Sequence, residues 1–131
     1  MTNTLETRTV TRTLIAIAFG GACGAVFRYA VVSLVAWWGG HVWGTVLVNL
    51  GGSFAIGVIV ASASDTSWFE SFGRPFLVVG VLGAFTTFSA FSLDAVHLYD
   101  AGRSLTALAY IVATVAGCLL AARAGMQVAG G

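Results

Sequence analysis

The sequence predicts an all-α membrane protein: one domain, residues 1–131, of four transmembrane helices. Three observations carry that prediction. Hydrophobic residues make up 58% of the chain and charged residues only 8%, against roughly 25% charged in a soluble domain. The mean hydropathy is +0.93. The apolar residues fall into four runs, approximately 14–38, 42–63, 75–96 and 105–122, each of about the 18 or more residues that cross a hydrocarbon core as a helix.

The N-terminal stretch MTNTLETRTVTRT is polar and carries Glu6, Arg8 and Arg12. No small-residue cleavage site follows the first apolar run, so that run is a retained helix rather than a signal peptide. Within it, Ala16, Gly20 and Gly24 recur every four residues, a stripe that lets helix backbones approach closely in lipid. The joint GGH (39–41) leads to the second helix. There Thr45, Asn49 and Ser53 share one face at i, i+4, i+8. The joint SDTSWFESFGR (64–74) leads to the third helix, whose first turn suits Pro75. The joint YDAGRS (99–104) leads to the fourth. That helix repeats small residues at Ala109, Ala113, Gly117, Ala121 and Gly125, and polar ones at Thr106, Tyr110 and Thr114. Joints this short force antiparallel neighbours. Trp37, Trp38, Trp43, Trp68 and Tyr99 stand near the ends, as interfacial aromatics do. The small-residue stripes imply a close-packed bundle and a helix-mediated oligomer. Four short helices enclose little space, so a pore forms more readily between subunits.

Charge narrows the function. The net charge of +1 argues against a nucleic-acid partner, and no basic cluster marks a lipid headgroup site. Arg8, Arg12, Arg74 and Arg123 lie on one side of the four-span topology and Arg103 on the other. This favours cytoplasmic termini, although Glu6, Asp65 and Glu70 share the Arg-rich side. Cys23 and Cys118 read as two small buried thiols within helices, without metal spacing. There is no nucleophile motif, phosphate loop or zinc spacing. Asp94 and His97, at i, i+3, read as a solvated helix end rather than a catalytic or metal pair.

Polar groups inside the spans need an explanation, because they are costly in lipid when unpaired. Arg28 either snorkels to the interface or offers a cation to an aqueous vestibule. Asn49 either bonds a neighbouring helix or donates, without net charge, to an anion that sheds water. TTFSAF (86–91) sets Thr86, Thr87 and Ser89 among Phe88 and Phe91. Two such rings are ordinarily packing residues, but a phenyl edge carries partial positive charge and attracts an anion weakly. The fourth-helix hydroxyls either bond back to their own helix or line the same passage. No carboxylate lies in the first two helices or in the centre of the third. Neutral donors without carboxylates suit an anion.

GGACGAVFRYA (20–30), GTVLVNLGGSFAIG (44–57) and GVLGAFTTFSAFSLD (80–94) resemble the CrcB/Fluc family of fluoride channels. The resemblance covers the whole chain, with the motifs in family order. It implies an antiparallel, dual-topology dimer of four-helix subunits in the cell's inner or plasma membrane. The third helix is then broken near its middle, and each dimer has two pores. It implies a fluoride-selective channel through which cytoplasmic fluoride leaves passively, lowering fluoride toxicity, and not an enzyme. It also implies a structural sodium ion on the dimer axis, held by the backbone carbonyls of Gly83 and Thr86. By the same resemblance Asn49, Phe88, Ser89, Phe91, Tyr110 and Thr114 line the fluoride path, with Arg28 matching the family's first-helix arginine. Ala90 stands where the family usually has a threonine, and Asp94 near a usual glutamate.

Two expectations stay open beside these. The Arg bias disagrees mildly with dual topology, so a heterodimer with an oppositely biased paralogous subunit stands beside the homodimer. The nearest rival function is a small multidrug-type proton-coupled exporter. It needs a titratable carboxylate in the membrane, which the first helix lacks.

Overall fold

The computed structural model describes residues 2–130, with side chains described for residues 7–40 and 42–130; Glu6 lies outside them. Helix α1 (Thr2–Trp37) is followed by α2 (His41–Ala63). Helix α3 winds as a wide π-helix over Phe69–Leu82 and closes with one α-turn, Gly83–Phe85. Helices α4 (Phe88–Asp100) and α5 (Ser104–Gly130) complete the described chain. Among the described residues, four stretches are long and apolar enough to cross a membrane: Thr7–Trp37, Val42–Ala63, Phe69–Asp100 and Ser104–Gly130.

Two tight turns share one construction. After α1, Gly40 N–H reaches Val35 O (3.2 Å) and Gly39 N–H reaches Ala36 O (2.9 Å). After α4, Arg103 N–H reaches Leu98 O (3.0 Å) and Gly102 N–H reaches Tyr99 O (2.9 Å). Each pair is a Schellman motif, which needs a left-handed residue between its bonds. Gly39 (φ 85°) and Gly102 (φ 74°) supply it without a Cβ penalty. Strict alternation of spans puts both turns at the same end of the bundle.

Pro75 departs from the expectation that it opens the third helix. Helical winding starts at Phe69, and Pro75 sits inside it. The polar residues before it are part of the helix, and Glu70 and Arg74 pair at i, i+4 (3.1 Å) on its exposed face. A proline within an α-helix clashes with the carbonyl four residues back; the wider i→i+5 winding relieves that contact.

The small-residue stripes sit where helices cross. A Cβ at Gly20 would fall on the Phe76 carbonyl oxygen and one at Gly24 on that of Val81, so α1 lies directly against α3. Gly57 similarly meets the Ala122 carbonyl oxygen, and Gly125 that of Phe54, which locks α2 to α5. Gly57→Val should therefore destabilise the subunit by about 1–3 kcal/mol or more through overpacking. Gly21→Ala, with nothing within 4 Å of its added Cβ, should not. Thermal denaturation in detergent compares them, and equal stability of the two variants would contradict this packing. At the end that holds the two turns, Phe91, Ala95, Leu98, Ala107 and Tyr110 form the buried cluster, with Val42 and Val46 against it.

Candidate functional site

Helical winding stops at Phe85, and the last helical bond runs from Thr86 N–H to Leu82 O at 3.0 Å. Thr86 (φ −80°, ψ 157°) and Thr87 (φ −152°, ψ 116°) are extended, and α4 restarts at Phe88. Backbone groups exposed by such an interruption must find partners in a membrane. Asn49 on α2 supplies two of them. Its Oδ1 accepts from Thr87 N–H at 2.7 Å, and its Nδ2 donates to Thr87 O at 3.0 Å. This double pairing fixes the amide's orientation and leaves one Nδ2 hydrogen for another acceptor. Thr87 then caps α4: its hydroxyl accepts from Ala90 N–H at 3.2 Å.

These bonds redirect two donors. In a continuous helix Thr87 N–H would close on Gly83 O, and Ala90 N–H on Thr86 O. Here they go to Asn49 and to the Thr87 hydroxyl. The carbonyls of Gly83 and Thr86 thereby lose their helical donors. Backbone carbonyls are among the oxygen ligands that a hard cation takes. Among the described residues no group of three His, Cys, Asp or Glu offers an alternative.

Beside the interruption lies an open groove of about 490 Å³, lined among others by Asn49, Ser53, Thr86, Phe88, Phe91 and Thr114. Phe88 and Phe91 stand 5.3 Å apart, tilted by 49°. Phe91 is buried, whereas Phe88 is 77% exposed in the single chain. Thr114 Oγ1 is buried with no hydrogen-bond partner. It does not make the back-bond to its own helix that membrane threonines commonly make, so it keeps an unspent donor and acceptor. Cys118, one turn further along α5, lines the same groove and is half-buried, while Cys23 is exposed on α1, so neither thiol is buried as the apolar runs suggest.

A second groove, of about 550 Å³, opens toward the end with the Schellman turns and is lined by Gly39, Trp43, Arg103, Thr106, Tyr110 and Thr114, with apolar neighbours. Thr114 belongs to both linings. Phe91 of the first groove packs on Tyr110 of the second, with ring centroids 5.3 Å apart. The two spaces thus meet at one hydroxyl and one ring pair. The Tyr110 hydroxyl donates to Asp94 Oδ2 at 3.2 Å, which ties α5 to α4.

The remaining residues singled out in the sequence lie elsewhere. Ser89 faces the Thr87 hydroxyl at 3.2 Å and lines neither groove. Arg28 continues the buried row of Ala16, Gly20 and Gly24 on α1, half-buried, and also lines neither groove. Asp94 bonds Tyr110 instead of pairing with His97. Sequence reasoning missed Thr87 as a helix cap, although a threonine before an apolar helical run is the usual signal. It also missed the Asp94–Tyr110 bond, which joins positions 16 apart and leaves no local pattern.

Fold and site together define a small multi-pass membrane protein in which the buried, neutral side chains of Asn49, Thr87 and Thr114 line one open groove. A family described as CrcB-like protein, Camphor Resistance (CrcB), matches residues 15–126, and the chain belongs to that family. A relative from Rhizobium meliloti (strain 1021), named fluoride-specific ion channel FluC, is 43% identical over 115 residues, covering 86% of this chain and 92% of the relative. One of the same name from Chelativorans sp. (strain BNC1) is 42% identical over 118 residues, covering 88% and 94%. Another from Hydrogenovibrio crunogenus is 46% identical over 104 residues, covering 78% and 79%.

Proposed function

We propose that this chain is a fluoride-selective channel that lets cytoplasmic fluoride leave the cell passively, and that it is not an enzyme. The observation that carries the reading is the convergence of Asn49, Phe88, Phe91 and Thr114 on one groove, in a chain whose relatives are named for fluoride conduction. Fluoride is small and tightly hydrated, so leaving water requires close donors. The spare Asn49 N–H and the orphaned Thr114 hydroxyl supply such donors without net charge. The Phe88 and Phe91 edges add weak attraction and exclude water. Tyr110, held by Asp94, continues the path into the second groove. The electrochemical gradient drives the flow.

The pore is completed by a second subunit. Both grooves are open on one side, and Phe88 leaves most of its ring outside its own subunit. These features support an antiparallel, dual-topology homodimer with two pores in the inner or plasma membrane. The heterodimer with an oppositely biased paralogue remains the alternative assembly. The interruption at Thr86 and Thr87 supports a third membrane helix broken near its middle. The freed carbonyls of Gly83 and Thr86 would hold a structural sodium ion between subunits, where its charge offsets carbonyl dipoles and ties the dimer together. Replacing sodium by a large organic cation should loosen the dimer; an assembly indifferent to the exchange would remove the sodium site.

Anion efflux from liposomes containing the purified protein tests the function. Rapid fluoride loss with little chloride loss is expected. Equal loss of both ions, or of neither from well-assembled dimers, would overturn the reading.

A further inference from the structure

Arg103 is absorbed by none of the roles above. It sits in the turn between α4 and α5 and lines the second groove with Thr106, Tyr110 and Thr114. Its backbone carbonyl accepts from Ala107 N–H at 2.9 Å, so Arg103 is the residue from which α5 starts. The positive end of the α5 dipole therefore faces the same mouth. The Asp94 carboxylate accepts from Tyr110 but, like Asp100, lines neither groove. Among the described residues the ion pair within 4 Å is that of Arg74 with Glu70, so no carboxylate neutralises Arg103 directly. From this cation Thr106, Tyr110 and Thr114 follow at four-residue spacing along one face of α5. The row ends at the buried, unpartnered Thr114 hydroxyl, 4% exposed, where the two grooves meet.

We propose that Arg103 is the electrostatic entrance of the anion path, concentrating a small monovalent anion at the mouth from which the α5 hydroxyls lead inward. The inference rests on the channel reading and adds a residue to it. The guanidinium acts at a distance and is not a pore ligand: it raises the rate of entry, not the selectivity inside. Its effect must therefore depend on ionic strength. The Debye length is about 30 Å at 0.01 M salt and about 3 Å at 1 M.

The experiment is fluoride flux through the full-length dimer in liposomes, at a fixed fluoride gradient and constant sodium. The ionic strength is varied with salts of large, impermeant organic ions. Wild-type flux should fall as the salt rises. Arg103→Gln should conduct about three- to tenfold less than wild type at low salt and equally at high salt, as expected for loss of local focusing. Arg103→Lys should keep the salt dependence. Arg12→Gln, which removes a charge that lines neither groove, should match wild type throughout. Arg103→Gln equal to wild type at low salt overturns the proposal. So does a loss of the same size at every salt, which would mark a structural role. If Arg103→Gln does not assemble, the wild-type salt dependence decides: a flat profile overturns the proposal. A wild type that passes no fluoride instead removes the channel reading itself.

Discussion

Asn49→Leu should reduce fluoride flux by about 10- to 100-fold and also weaken the fold. The flux estimate is the loss of one hydrogen bond to an anion, about 1.5–3 kcal/mol, expressed as a barrier at about 1.4 kcal/mol per tenfold. The fold is weakened because the Asn49 amide pairs both backbone groups of Thr87, at 2.7 and 3.0 Å. Leucine fills the space but strands Thr87 N–H in a buried site, at about 1–3 kcal/mol. Asn49→Asp separates the two roles. A carboxylate still accepts from Thr87 N–H, but it opposes Thr87 O and faces the anion with a negative charge. Flux should vanish in Asn49→Asp even where the dimer assembles. An assembled Asn49→Asp dimer that conducts at the wild-type rate would show that Asn49 serves only the backbone.

Phe88→Ile should reduce fluoride flux about tenfold or more in assembled dimers, with the fold of the subunit itself unchanged. Phe88 is 77% exposed in the single chain, so its ring contributes little to the subunit's own packing. Isoleucine keeps apolar bulk but removes the positive aromatic edge. Loss of conduction would then report on the ring and not on folding. Phe91 cannot give so clean an answer. It is buried and packs on Tyr110, and truncating a buried Phe costs about 3–5 kcal/mol of stability. Unchanged conductance in Phe88→Ile would mean that the ring edges do not carry the ion.

The helical architecture was legible because lipid imposes it. Hydropathy and span length leave few options to a chain this apolar, and short joints fix antiparallel neighbours. The close crossings were legible at Gly20, Gly24 and Gly125, since four-residue spacing of small residues is itself the packing device. The start of the third helix was not. Pro75 looks like a first-turn residue, yet the wide winding carries the helix past it. The buried face of Thr45 and Asn49 followed from period alone. What Asn49 bonds did not, because Thr87 is 38 residues away and its extended backbone depends on tertiary context. Thr114 is the converse case. Sequence left open whether its hydroxyl bonds its own helix, and only the folded chain leaves that hydroxyl buried and unpaired.

The central claim is that uncharged donors and ring edges take over fluoride's hydration and refuse larger halides. A bi-ionic reversal potential measures that preference directly, with fluoride on one side of a planar bilayer and chloride on the other. The account predicts a potential set by the fluoride gradient and unmoved when chloride is replaced by a large organic anion. A potential near zero under fluoride against chloride, or one that shifts with chloride, would contradict it.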